Sequence, residues 1–223
     1  MNSNNKISKT YDDALIDLFK IGGLYRKSLY SLLQQLRVCK IIEGYILELI
    51  ESDDFSAIFP MKVPVIHCGI RVDIPGENEY LSPPHQDIYS CHCANALRVW
   101  IPLRDVNSEK GTMKIYAGSH KEGIIEPDFM ENPNFPSIEP HLYNNYIKNI
   151  ITLEKGNAVF FHPLLIHGSV PPKNKWNKIK FISGGDIQDL TTLLNKEGSE
   201  ESLLLSHKIS QERKKNRDIT SGY

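Results

Sequence analysis

Leu97-Arg98-Val99-Trp100-Ile101-Pro102-Leu103 reads as a β-strand, a β-branched and aromatic run broken by proline near its end. Downstream, Thr112-Met113-Lys114-Ile115-Tyr116 reads as a second strand, closed by Ala117-Gly118-Ser119-His120. Ile150-Ile151-Thr152-Leu153 follows, then a turn at Lys155-Gly156-Asn157, then Ala158-Val159-Phe160-Phe161 and Ile179-Lys180-Phe181-Ile182. Upstream, Val63, Val65, Ile66, Ile70, Val72 and Ile74 mark a further β-rich segment with prolines at its ends and a turn at Gly76-Glu77-Asn78-Glu79. Many short strands separated by Gly/Pro turns predict a mainly β fold, a sandwich or barrel.

The flanks read differently. Leu15, Leu18 and Phe19 recur at helical spacing, Gly22-Gly23 interrupts them, and Leu29, Leu32, Leu33, Leu36, Ile41, Ile42, Tyr45, Ile46 and Leu49 form a broad apolar stripe. A single domain is expected, with a helical part over about 10–55, a β core over about 60–186 and a polar helical tail over about 187–215. Residues 126–146 read as a long loop, the kind that often serves as a lid.

Of the 223 residues 40% are hydrophobic, enough for a substantial core, and the net charge of -1 gives no bulk attraction to nucleic acid or anionic membrane. No apolar run reaches the length of a membrane span. Met1-Asn2-Ser3-Asn4-Asn5 lacks the layout of a signal peptide, and Cys39, Cys68, Cys91 and Cys93 read as reduced thiols, so a cytoplasmic protein is expected. Cys91-His92-Cys93 lacks a second ligand pair at zinc-site spacing and reads as strand residues.

The chemistry concentrates in Pro83-Pro84-His85-Gln86-Asp87 and in Phe160-Phe161-His162-Pro163-Leu164-Leu165-Ile166-His167-Gly168. On a strand, His-X-Asp puts both side chains on one face, with Gln86 turned elsewhere. A second strand, distant in sequence, would bring His167 beside them. Two imidazoles and one carboxylate with open positions opposite are the ligand set of non-haem Fe(II) oxygenases. His67, His141 and His207 read as structural.

The text around these residues resembles the phytanoyl-CoA dioxygenase family of Fe(II)/2-oxoglutarate oxygenases. The resemblance runs from about Pro83 to Asp189, through Pro84-His85-Gln86-Asp87, Arg98 to Val106, Gly111-Thr112-Met113, Gly118 to Gly123, Gly156 to Phe161 and His167-Gly168-Ser169. It implies a double-stranded β-helix (jelly-roll) core, Fe(II) held by His85, Asp87 and His167, 2-oxoglutarate and O2 as co-substrates, and ascorbate as an in vitro activator. The implied reaction is hydroxylation of a small-molecule C–H bond, with release of succinate and CO2. A carboxylate at Asp87 argues for hydroxylation or a related oxidation over halogenation. Trp100 matches the family position lying against 2-oxoglutarate. An arginine expected shortly after the distal histidine is missing, and Lys180 or Lys178 stands there instead, with Arg71 or Arg98 as other candidate anchors. Gln86, Tyr89, Arg71 and Arg98 are candidate substrate contacts. The alternatives left open are a catalytically silent jelly-roll binding protein and a cupin-type metalloenzyme that does not use 2-oxoglutarate.

Overall fold

The computed structural model describes residues 40–59, 64–73, 81–91, 96–128, 135–173 and 180–189, with 207, 208 and 211 near the carboxyl end. Helix α1 (Lys40–Ile50) and the short α2 (Asp53–Ile58) precede strand β1 (Pro64–Asp73). A one-turn α3 (Ile88–Cys91) comes next, then β2 (Leu97–Pro102), β3 (Thr112–Ala117), β4 (Ile147–Ile150), β5 (Val159–Phe161), β6 (His167–Val170) and β7 (Lys180–Asp189). Two antiparallel sheets result, ordered β1-β7-β2-β5 and β4-β3-β6. The chain places β1 and β2 in the larger sheet, β3 and β4 in the smaller, and then crosses at each step through β5, β6 and β7, giving the two facing sheets of a double-stranded β-helix.

Strand β2 shows how sequence alternation builds the layers. Val99 and Ile101 point outward and are buried with Cys68, Ile187 and, from α1, Ile46 and Ile50. Complete burial of a side chain such as Ile46 contributes about 2 kcal/mol. Arg98 and Trp100, on the opposite face, line the space between the sheets. Trp100, Ile115 and Val159 pack there on the buried Met113, Phe161 and Leu165. Helix α1 thus covers one face of the larger sheet, leaving the other for the interior.

Several sequence expectations change. The strand expected at 150–153 lies instead at Ile147–Ile150, where β4 pairs residue by residue with β3, Lys114 standing opposite Ile150; Leu153 makes only a single bridge to Val106. Strand β7 runs on to Asp189, where the polar Gly184-Gly185-Asp186 stretch suggested no strand. It is central, hydrogen-bonded to β1 and β2 on either side, so backbone pairing supports it where side-chain alternation does not. The expected tail therefore begins later than 187; most of it, and residues 1–39, lie outside the described residues. The Asp87 end of the metal motif is not strand: His85 makes a single bridge to His167, and Asp87 lies in the turn that opens α3. Cys91 closes that helix and is buried, while His92 and Cys93 lie outside the described residues.

The long loop is partly docked. Asp128 and Ser137 bridge each other through two backbone bonds of 2.8 Å, Ile138 donates to Pro84 O at 2.8 Å, and Ile138 and Tyr143 are buried with Tyr116 and Ile166. Residues 129–134 lie outside the described residues.

Candidate metal centre

His85 and His167 face each other across the bridge, each backbone N–H donating to the other's carbonyl at 2.9 and 3.0 Å. Such a pair brings the two side chains to one side, and the imidazole centroids lie 4.4 Å apart. The close approach depends on Gly168. A Cβ there would lie 3.0 Å from Pro84 N and 3.1 Å from the carbonyl carbon and oxygen of Pro83, so any side chain would push the His85 segment off β6. The diproline before His85 therefore has a backbone partner that the sequence writes as His-Gly.

Each ring is oriented by a carbonyl: His85 Nδ1 lies 2.8 Å from Pro83 O, and His167 Nδ1 lies 2.9 Å from Leu165 O. A carbonyl only accepts, so Nδ1 carries the hydrogen and Nε2 is left to face inward. His85 Nε2 lies 3.3 Å from Asp87 Oδ1, and His167 Nε2 lies 3.4 Å from Asp87 Oδ2. Asp87 is itself placed by Pro163, whose carbonyl accepts the Asp87 N–H at 2.9 Å, and by Arg98, whose Nε donates to Oδ2 at 2.7 Å.

The electrostatics favour a donor set. Burial, and the neighbouring His167, lower the His85 pKa despite Asp87 beside it. Burial alone would raise the Asp87 pKa; the Arg98 guanidinium, the largest opposing influence, holds it well below the usual carboxylate range. An anionic carboxylate thus faces inward-turned ring nitrogens, an arrangement that repels itself without a cation among them. The three offered donor atoms lie within 4.8 Å of one another and are the one such group among the described residues. They fit a divalent metal held on one face.

This corner opens into a cavity of about 240 Å³ between the sheets, lined by Arg71, Asp73, Ser82, Arg98, Trp100 and Thr112 among others. At the wall near Gly168 the Arg71 guanidinium donates to Asp73 Oδ1 (2.7 Å), Ser82 Oγ (2.6 Å) and Ser169 Oγ (3.4 Å). Lys180 begins β7, its Cα in register with Asp73. Lys178 lies outside the described residues.

Two expected substrate contacts are not in the cavity. Gln86 is fully buried, its amide donating to Gly123 O and Leu164 O at 2.8 Å and accepting from Ile125 N at 3.0 Å. Tyr89 donates to Ile125 O at 2.6 Å, and burial, with the Asp87 charge, raises its pKa. Both residues tie the segment after Gly123 to the metal turn, Gln86 from the residue between His85 and Asp87 and Tyr89 from α3. Arg98 lines the cavity, but its Nε is engaged with Asp87. Sequence reading did not find that contact, nor the Gly168 packing or the Ser82–Ser169 pair beside Arg71. The placement of Arg98 two residues from Trp100, hence on the same strand face, was the available signal. His141 pairs with Glu139 at the surface (3.0 Å) and His207 with Gln211 (2.8 Å), both away from the centre.

Comparison with known sequences bears on this geometry. The sequence profile described as phytanoyl-CoA dioxygenase (PhyH) matches residues 56–175, more than half of the chain. The chain belongs to the phytanoyl-CoA dioxygenase family. Peroxisomal phytanoyl-CoA dioxygenase from Bos taurus is 31% identical over 106 residues, covering 42% of this chain and 30% of the relative. The Homo sapiens protein is 31% identical over 102 residues, with the same coverage of 42% and 30%. The match thus spans under a third of these family members' length. Among solved structures, EvdO2 from Micromonospora carbonacea var. aurantiaca complexed with 2-oxoglutarate is similar at 20% identity, covering 65% of this chain and 63% of that one, with a TM-score of 0.46. EctD from S. alaskensis with bound Fe is similar at 16% identity, covering 66% and 53%, with a TM-score of 0.47. No helix among the described residues is long and apolar enough to cross a membrane.

Proposed function

We propose that this chain is a Fe(II)- and 2-oxoglutarate-dependent dioxygenase that hydroxylates a C–H bond of a small molecule. The observation that carries the proposal is the convergence of His85, Asp87 and His167 donor atoms at the head of a cavity, in a member of the phytanoyl-CoA dioxygenase family. His85 Nε2, Asp87 and His167 Nε2 would hold the iron. When bound, the ferrous ion supplies redox chemistry with O2, coupled to conversion of 2-oxoglutarate to succinate and CO2.

The chain's own residues supply geometry and exclusion of water. The Pro83 and Leu165 carbonyls fix the ring tautomers, so both Nε2 atoms are ready as ligands. Trp100, packed on Met113 and Phe161, forms an apolar wall for the 2-oxoglutarate chain. The cationic end of the cavity takes the distal carboxylate. Lys180, whose Cα is in register with the lining residue Asp73, is the proposed principal anchor, and Arg71, which lines the cavity bonded to Asp73, is the second candidate. Lysine can neutralise a carboxylate as a point charge without the planar fork of an arginine. The substrate approaches on the open side of the metal, and a cytoplasmic setting agrees with reduced Cys68 and Cys91.

The test is succinate formation from labelled 2-oxoglutarate in anaerobically iron-loaded protein exposed to O2 with ascorbate, preceded by direct binding of 2-oxoglutarate. Iron-dependent binding followed by succinate release is the expected result. Metal binding with no affinity for 2-oxoglutarate would contradict the proposal and favour a metalloenzyme of another kind.

A further inference from the structure

We propose that Arg98 is a positioning residue that restricts Asp87 to coordination through one oxygen, keeping the metal open to a chelating co-substrate. This rests on the metal centre proposed above. Arg98 Nε lies 2.7 Å from Asp87 Oδ2, and the two side chains are only 19% and 13% exposed. A charge-assisted bond of that length in a sheltered site is strong and directional. The donor is also rigidly mounted. Arg98 sits within β2, flanked in register by Phe161 of β5 and Asp186 of β7, so its backbone cannot swing away from the metal corner.

The consequence follows from counting positions. An octahedral ion held by two imidazoles and one carboxylate oxygen keeps three positions: two for the oxygens of a chelating 2-oxoacid and one for dioxygen. A carboxylate binding through both oxygens would take one of them. Oδ2 spends a lone pair on the guanidinium, and the guanidinium charge opposes a cation approaching that oxygen. Oδ1, 3.3 Å from His85 Nε2, is left as the better donor. The pair therefore does something a generic structural salt bridge does not: it weakens metal binding slightly while strengthening chelation by the co-substrate.

That opposition is the test. Full-length wild type and Arg98→Met are titrated with Co(II) alone, and with 2-oxoglutarate in the presence of Fe(II) under anaerobic conditions, reading the visible charge-transfer absorption of the ferrous 2-oxoacid chelate. Arg98→Met is expected to bind Co(II) at least about threefold more tightly, because a neighbouring cation is gone and both Asp87 oxygens are free. Its affinity for 2-oxoglutarate is expected to fall about tenfold or more. Arg98→Gln, which keeps an N–H for Oδ2 but no charge, should move both affinities in the same directions by less, and it carries the test if Arg98→Met does not fold. A parallel fall in both affinities, or no change in either, overturns the inference. If wild type binds Co(II) but not 2-oxoglutarate, the oxygenase reading fails by itself. The Co(II) arm then still decides Arg98, since an unchanged or weakened Co(II) affinity in the variant overturns its role.

Discussion

The metal corner and the Arg71 wall of the same cavity are held in different ways. At the metal corner, every donor has a backbone restraint and a second, independent one. His85 has its bridge to His167 and the Pro83 carbonyl; Asp87 has the Pro163 carbonyl and Arg98. At the Arg71 wall, the guanidinium donates to side chains, to Asp73 and to the hydroxyls of Ser82 and Ser169. Hydroxyl donors rotate and long cations swing, so that wall can accept a change of cation without rebuilding the backbone. On the proposed reading, the difference lets the metal residues stay fixed while a lysine stands in for the anchoring arginine. Coordination requires particular atoms at particular places; recognition of a carboxylate requires positive charge in reach.

The comparison can be broken hardest at the metal corner. His167→Ala should weaken Fe(II) or Co(II) binding by at least about 100-fold, more than loss of an outer-shell partner costs, and abolish succinate formation. Calorimetric titration with Co(II) checks it. At the proposed carboxylate anchors, Lys180→Ala and Arg71→Ala should leave Co(II) affinity within about twofold, and at least Lys180→Ala should weaken 2-oxoglutarate binding by roughly 1.5–3 kcal/mol. Equal loss of metal affinity there would erase the distinction between the two regions. Gly168→Ala should destabilise the fold by about 1–3 kcal/mol, since Pro83 and Pro84 backbone atoms must move, and should lower metal affinity because His85 moves with them. Denaturant unfolding and Co(II) titration on the same sample separate the two effects. Gln86→Ala should cost about 1–3 kcal/mol by stranding the Gly123 and Leu164 carbonyls, with a smaller change in metal affinity.

The smallest expected effect is the response of metal-free protein to acid. His85 has a pKa below its ordinary 6.5 in the fold, so the unfolded chain takes up a proton first as pH falls through that value, and stability declines from there. Asp87, depressed below its ordinary 3.8, adds a further loss at lower pH, where the unfolded carboxylate protonates before the folded one. Bound metal should shift this decline to lower pH, because it competes with protons for the same atoms. A melting temperature flat between pH 7 and about pH 5 in metal-free protein would contradict the first step.

The legible part of the molecule follows the same division. The β core was readable because strands such as Leu97–Pro102 and Thr112–Ala117 carry β-formers between turn residues. The cluster of His85, Asp87 and His167 was readable because those residue types at that spacing point to a donor set, and the fold brings them together. The start of β7 was readable at 179–182, but its run on to Asp189 was not, since a central strand is held by backbone bonds that leave no mark in Gly184-Gly185-Asp186. Gln86 was expected to turn away from His85 and Asp87, but its partners were not legible, nor was the destination of Tyr89, which the turn into α3 after Asp87 carries into the packing behind the metal corner. Arg98 fell between, its strand face visible in the sequence and its partner visible only in space.

Iron content per chain tests the central claim most directly. Wild type and Asp87→Ala, each reconstituted anaerobically with Fe(II) and freed of excess, should hold about one iron per chain and almost none, respectively. Equal iron in the two proteins, or an empty wild type, would contradict a metal centre built from His85, Asp87 and His167.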